Sequence, residues 1–211
     1  RLDEALALYG RASALLENLP RPQAGERLAR NYANVAEIRM AQEKYAEAES
    51  AARRALAAAG DQRGPARALA LNNLAQALRF EHRFEEAGPL YREAITLLEG
   101  DTAASARVLA NLAGFYHDQE REMRAVELYT RALAMLESSL GAGNPETELV
   151  RTRLAEVRRA QGHYAQSLDL YRRALPRLAR SYGSGDPRVI SVLHEFEHAE
   201  AEAKQHILEV R

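Results

Sequence analysis

LNNLAQALRFEHRFEEAGPLYREAITLL, residues 71–98, is the stretch of sequence that decides the fold. Over residues 71–78, apolar side chains advance by three and four positions, which is the spacing of one face of an α-helix. A short polar break at residues 81–83 follows, and the same spacing resumes over residues 84–98. The stretch therefore predicts two helices joined by a tight turn.

A four-residue phrase that ends in alanine marks the second helix of this pair and occurs five times. The copies are Tyr9-Gly10-Arg11-Ala12, Ala52-Arg53-Arg54-Ala55, Tyr91-Arg92-Glu93-Ala94, Tyr129-Thr130-Arg131-Ala132 and Tyr171-Arg172-Arg173-Ala174. The closing alanines recur after 43, 39, 38 and 42 residues. A unit with this period cannot bury its apolar face alone, so its copies stack and each contacts its neighbours. The repeats predict a solenoid that works by binding.

Small residues recur at a second fixed spacing, one in each helix of a pair and twelve positions apart. They are Ala36 and Ala48, Ala75 and Ala87, Ala113 and Ala125, and Ala155 and Ser167. Small side chains at a crossing let helix axes approach toward the low end of the usual 8–10 Å. The tyrosines of the phrase would fill the space beside the adjoining helix, with each hydroxyl reaching a polar edge. These positions are interpreted as core.

The pattern resembles the tetratricopeptide repeat, which has small residues twelve apart, then an aromatic residue and a final alanine. The extra residues at 140–145 and 182–187 form Gly-x-Gly-Asn/Asp-Pro linkers similar to those of kinesin light chains and many bacterial relatives. In these linkers Gly141 and Gly183 can end a helix, and Asn144 and Asp186 can cap the next one. The resemblance implies an all-α, right-handed superhelical α-solenoid of antiparallel helix pairs, with about ten helices.

We expect one array over residues 1–211, because no linker rich in Pro, Gly or Ser interrupts it. Its expected parts are a second helix of a truncated repeat at 1–20, repeats at 25–60, 64–99, 103–140 and 145–182, and a capping helix at 187–210. More repeats or another domain are expected before Arg1. The capping helix carries one apolar stripe, formed by Val189, Val192, Phe196, Ala199, Ala203 and Val210.

Composition excludes several functions. Twenty-nine basic and 30 acidic residues give a net charge of −1, which argues against a nucleic-acid backbone as partner. Cysteine is absent, so neither a disulfide framework nor a thiolate metal site can form. No apolar run approaches the roughly 20 residues that span a bilayer. We predict no cofactor and no membrane insertion, and the oligomeric state stays undetermined.

The motif His194-Glu195-Phe196-Glu197-His198 matches the His-Glu-x-x-His pattern of zinc metalloproteases. In such enzymes the two histidines bind zinc and the glutamate acts as general base. The context disfavours this interpretation, because Phe196 lies on the apolar stripe of the capping helix. In addition, only thirteen residues follow the motif, which leaves little protein for a third ligand and a cleft. A zinc metallopeptidase is kept as a remote alternative, with His194 and His198 as weak metal candidates.

The predicted binding surface is the face of the first helices, which is concave in the family that the chain resembles. Each first helix carries a polar residue directly before the apolar residues Val35, Leu74, Leu112 and Leu154. These polar residues are Asn34, Asn73, Asn111 and Arg153. They resemble the asparagine ladder that hydrogen-bonds the backbone of an extended ligand. An amide offers donors and an acceptor, as a peptide backbone does. The open alternative is that these amides bond neighbouring helices or water. The same face carries Arg30, Arg107, Arg79, Arg159 and Gln76.

Arginines on this face predict an acidic or carboxylate-ended peptide, because a guanidinium pairs bidentately with a carboxylate. Glu37 and Glu156 could instead neutralise these arginines within the groove. Two further alternatives remain beside a passive, non-catalytic interaction scaffold. One is a peptide-sensing domain that regulates an effector before Arg1, and the other is the enzyme described above. No Gly-rich phosphate loop or Ser/His/Asp grouping supports an enzyme.

Overall fold

The computed structural model describes residues 2–61, 63–98 and 102–209, and helices dominate all three ranges. Within them lie α1 (Leu2–Glu17), α2 (Arg21–Ala41), α3 (Tyr45–Ala59), α4 (Pro65–Phe80), α5 (Phe84–Leu97), α6 (Thr102–His117), α7 (Glu122–Leu140), α8 (Pro145–Ala160), α9 (Tyr164–Tyr182) and α10 (Pro187–Glu209). No strand occurs in this part of the chain, and the prediction of an all-α fold is confirmed. The chain divides into two compact units, residues 1–104 and residues 105–211. Val210 lies outside the described residues.

In the first unit, α2 packs on α3 and α4 packs on α5. The helices within a pair approach closely because the predicted small residues meet there: Ala36, Ala48, Ala75 and Ala87 have no exposed surface. Successive pairs are joined through α3 on α4 and through the two first helices, α2 and α4. Tyr91 of the repeated phrase is fully buried. Alternation of tiny and large residues thus builds the stack in the way the sequence predicts.

The second unit repeats this packing with α7, α8, α9 and α10. Its core joins Tyr171, Ala174 and Leu178 of α9 to Val189 and Val192 of α10. Phe196 packs edge-on against Tyr171, with ring centroids 6.2 Å apart. Burial raises the pKa of the Tyr171 hydroxyl, and nearby Glu156 adds to this shift. The expectation that this hydroxyl reaches a polar partner is wrong, because it is buried without a hydrogen bond to any described residue.

The linkers of the second unit form the predicted caps. Gly141 ends α7 with φ 88° and Gly183 ends α9 with φ 89°, a left-handed conformation that glycine adopts at little cost. Asn144 then accepts a hydrogen bond from the Glu146 main-chain N–H at 2.9 Å. Asp186 accepts one from the Arg188 N–H at 2.9 Å. The proline that follows each cap starts the next helix.

None of the helices within the described ranges combines the length and apolar character that spanning a bilayer requires.

Candidate functional site

The candidate site is the first-helix face, which we define as the polar face of α2 and α4 in the first unit and of α6 and α8 in the second. These helices carry all nine residues predicted to bind a peptide. Each helix has an opposite, apolar face that holds it in its pair, so the polar face is left for other contacts.

Asn34 and Asn73 occupy the same repeat position but are held differently. Asn73 is 1% exposed, and its amide donates to the Ala33 carbonyl of α2 at 3.0 Å, while it accepts from Asn72 at 3.2 Å. Asn34 is half-buried and donates to the Tyr9 hydroxyl at 3.1 Å. No described residue donates to its side-chain oxygen. Asn73 thus ties α4 to α2, whereas Asn34 donates to Tyr9 of α1.

Gln76 and Arg79 lie further along α4, both half-buried. Gln76 makes no hydrogen bond with any residue of the described ranges, so both its donor and its acceptor are available. The Arg79 guanidinium lies over the Phe80 ring, 5.1 Å from its centroid. Arg30 of α2 is exposed and pairs with Glu26 at 2.7 Å, one helical turn away. This surface of the first unit therefore combines open amide groups with arginines.

In the second unit the arginines of the face all contact carboxylates. Arg107 of α6 forms a two-pronged pair with Glu146 at the start of α8, with Nη2 to Oε2 at 2.9 Å. Arg153 is exposed and donates to Glu156 at 3.1 Å, as the open alternative anticipated. Asn111 is half-buried on α6. An acidic ligand would have to displace these carboxylates, which are part of the chain itself.

Arg159 connects α8 to the capping helix. It donates to Glu202 at 2.9 Å and to His198 Nδ1 at 3.1 Å, and it lies 3.6 Å from Glu195. Two residues of the His-Glu-x-x-His motif are thus in contact with Arg159, and His194 is exposed. Among the described residues there is no group of three or more metal-ligating side chains placed to hold a metal ion. Arg159 acts here as a tether between helices.

A further polar cluster was not singled out from sequence: Glu17, Tyr32 and Arg54, one from each of α1, α2 and α3. Arg54 donates to Glu17 at 3.1 Å and to the Tyr32 hydroxyl at 2.5 Å, and Tyr32 donates to Glu17. Burial and the Glu17 hydrogen bond raise the pKa of Tyr32. The one available signal was Arg54, because the next repeat carries Glu93, of opposite charge, at this position.

Comparisons with known proteins agree with this architecture. Residues 27–100 and 102–180 match the family model of the tetratricopeptide repeat. The Arabidopsis thaliana protein KINESIN LIGHT CHAIN-RELATED 2 is 29% identical over 168 residues, which cover 76% of this chain. The chain spans 25% of the length of that relative. The similarity covers most of this chain and a small part of the relative.

Solved structures show the same fold. BtubC (BKLC) from P. vanneervenii superposes with a TM-score of 0.71 at 20% identity, covering 99% of this chain and 92% of that one. A putative kinesin light chain from Podosopora anserina with nearly identical TPR-like repeats gives a TM-score of 0.65 at 20% identity, covering 89% of this chain and 94% of that one. Proteins of this kind are generally non-catalytic scaffolds for protein interactions. The chain belongs to the tetratricopeptide repeat family.

Proposed function

We propose that this chain is a non-catalytic scaffold that binds an extended segment of a partner protein along the α2 and α4 part of its first-helix face. In the first unit, the residues that would contact the main chain of that segment are Asn34 and Gln76. An extended segment presents one N–H and one C=O per residue, and side-chain amides complement both whatever the ligand sequence.

The observation that carries the proposal is the pair of available amides on two helices in direct contact. α2 packs against α4, and Asn73 fixes the two helices through the Ala33 carbonyl. Asn34 and Gln76 are both half-buried, so their side chains have limited freedom to lose on binding. A pre-ordered amide binds a ligand more tightly than a mobile one for this reason.

The finer proposal of an acidic or carboxylate-ended ligand rests on the arginines of the face. The side chains of Arg30 and Glu26 are 60% and 61% exposed, and a pair this exposed contributes little, so a ligand carboxylate can replace Glu26. The Arg153 side chain is 63% exposed, but its partner Glu156 is only 21% exposed, so this pair is harder to replace. Arg107 donates two hydrogen bonds to Glu146 and is therefore less available to a ligand. We therefore place any anion preference at Arg30.

The test starts from peptides selected on the intact chain from a random display library and then measures their affinity by fluorescence anisotropy. Asn34→Ala combined with Gln76→Ala should weaken binding by about tenfold, because each lost hydrogen bond is worth about 0.5–1.5 kcal/mol. The matched control is Gln166→Ala, an exposed amide on the second helix α9. Equal affinities for the double variant and the wild type would refute the proposed site.

The anion preference is measured separately, by calorimetry with acidic, neutral and basic versions of one selected peptide. We expect the acidic version to bind most tightly at low salt and to lose that advantage as salt screens exposed charges. Equal binding of all three versions would remove the acidic preference and leave the main-chain recognition intact.

A further inference from the structure

Each pair of successive second helices meets the start of a first helix at an inter-repeat site, and these sites can be compared within the chain. At the site formed by α3, α4 and α5, Arg67 fills the space. Its Nη1 donates to the Gly60 carbonyl at 2.6 Å and its Nη2 to Glu93 at 3.0 Å. The Arg67 side chain is only 21% exposed. A long side chain therefore plugs this site and is held at both ends.

In the second unit, the site formed by α7, α8 and α9 is also filled. Arg177 donates to the Ala142 carbonyl at 2.7 Å and to Glu148 at 2.9 Å. Arg151 donates to the same glutamate at 2.8 Å and to Glu137 at 2.5 Å. Glu148 is fully buried. Two arginines and a buried carboxylate therefore occupy this site.

The site formed by α1, α2 and α3 has no such plug and contains a pocket of about 300 Å³. The repeat register explains the difference. Leu28 and Arg67 occupy equivalent repeat positions, because they are 39 residues apart, as Ala36 and Ala75 are. Ala58 and Arg177 are likewise equivalent, because they are 119 residues apart, as Ala36 and Ala155 are. At both plug positions the first repeat thus has a shorter side chain. The pocket lining is mainly apolar, with Leu16, Leu19, Ala24, Gly25, Leu28, Ala57 and Ala58.

Close contacts hold the walls of the pocket in place. Gly25 lies so near α3 that an added Cβ would come within 3.0 Å of the Ala58 carbonyl oxygen, so α2 and α3 are already in contact there. Tyr32 is 5% exposed and anchored by Glu17 and Arg54. The Arg54 guanidinium lies 4.2 Å from the centroid of the Tyr32 ring. A pre-formed, mostly apolar interior with a few polar groups at its edge is typical of a binding pocket.

We propose that this pocket is a second docking site, outside the first-helix face, which binds a large apolar side chain of a protein partner. Its volume lies at the low end for small-molecule pockets, about 300–1,000 Å³, and suits a single side chain. An arginine from a partner is disfavoured, because Arg54 stands where Glu93 holds Arg67 and would repel it. Arg54 borders the pocket, and its guanidinium can stack on an aromatic ring.

The test is an NMR titration of the intact, isotope-labelled chain with N-acetyl-L-phenylalanine amide, and separately with N-acetyl-L-arginine amide. The phenylalanine probe should shift the main-chain amides of Gly25 and Ala58 in a saturable way. Leu28→Arg combined with Arg54→Glu transplants the Arg67–Glu93 plug and should weaken this binding at least tenfold. The control Arg92→Glu reverses an exposed charge on α5 and should leave the binding unchanged.

Three results would overturn the proposal: no shift at the pocket up to the solubility limit of the probe, equal or tighter binding of the arginine probe, or shifts that persist unchanged in the plugged variant. Circular dichroism checks that this variant is folded. If it is not, Ala57→Leu fills the pocket from the exposed side of α3 without adding charge. The same tenfold loss is expected from Ala57→Leu, and its absence counts against the pocket.

Discussion

The inter-repeat sites of α7–α9 and α1–α3 occupy the same place in the repeat and have opposite chemistry. In the first, Glu148 and Arg151 are almost completely buried as ions, each with two oppositely charged partners. In the second, Arg54 and Glu17 are about half exposed and border an apolar pocket. The difference comes from a few side chains, because the helices around them pack alike. A repeat scaffold can therefore lock one junction and leave another open for binding.

Breaking the buried network should have the largest effect. Glu148→Ala leaves Arg151 buried with Glu137 alone and deprives Arg177 of its carboxylate. Loss of one partner from a buried ion pair costs about 3–5 kcal/mol, and we expect about 3 kcal/mol because Glu137 remains. Urea denaturation followed by circular dichroism measures it. The control, Glu26→Ala, removes an exposed partner and should cost under about 0.5 kcal/mol. A cost below about 1 kcal/mol for Glu148→Ala would mean that the network does not lock the junction.

Opening the α3–α5 site should have an intermediate effect. Arg67→Leu with Glu93→Arg installs the side chains found at the α1–α3 site and removes the hydrogen bonds to Gly60 and Glu93. We expect a loss of about 1–2 kcal/mol in the free energy of unfolding. The variant should also gain a second set of amide shifts with N-acetyl-L-phenylalanine amide. A stable variant that gains no shifts would show that side-chain length alone does not open a pocket.

Asn34 and Asn73 allow the same comparison of a less buried and a fully buried group, here with uncharged side chains. Asn73→Ala should cost about 1–2 kcal/mol, because it removes a buried donor from the Ala33 carbonyl. Asn34→Ala should cost less than about 1 kcal/mol, since its partner is a hydroxyl near the surface. Thermal denaturation of both single variants compares them directly. Equal costs would indicate that burial does not separate their roles.

The pair of exposed Arg188 and half-buried Asp186 should have the smallest effect on stability. The hydrogen bonds from Arg188 lower the pKa of Asp186 to about 2. A lowered carboxyl pKa gives stability that is present above the unfolded pKa of about 3.9 and is lost as the pH falls toward 2. Arg188→Ala should raise the pKa of Asp186 toward its ordinary value, as measured by NMR titration. An unchanged pKa would show that the main-chain cap alone sets it.

Sequence periodicity predicts most of the fold here, because helix pairing depends on residues close together in the chain. Small residues twelve positions apart, such as Ala36 and Ala48, mark a helix crossing in each repeat. The dipeptide Asn144-Pro145 is by itself a signal for the start of a helix. Periodicity does not show how deeply a side chain is buried. Asn34 and Asn73 are identical in register, yet only Asn73 is buried against a neighbouring helix. That difference depends on contacts across 40 residues.

The plugs and the pocket could not be predicted for the same reason. Arg67 meets Glu93 across 26 residues and Arg177 meets Glu148 across 29. Each is one charged residue among many on its helix, and nothing local distinguishes it. Only the register comparison of Leu28 with Arg67, together with the helix packing, shows that the α1–α3 site has no arginine in this place. The sequence also offered no means of telling a tether such as Arg159 from a ligand contact.

The most direct test of the central claim is to map a display-selected peptide onto the intact chain by NMR. We expect the largest amide and side-chain shifts to fall on the first helices, with Asn34 and Gln76 among the residues that shift. Shifts confined to the second helices α3, α5, α7 and α9, with Asn34 and Gln76 unaffected, would contradict it.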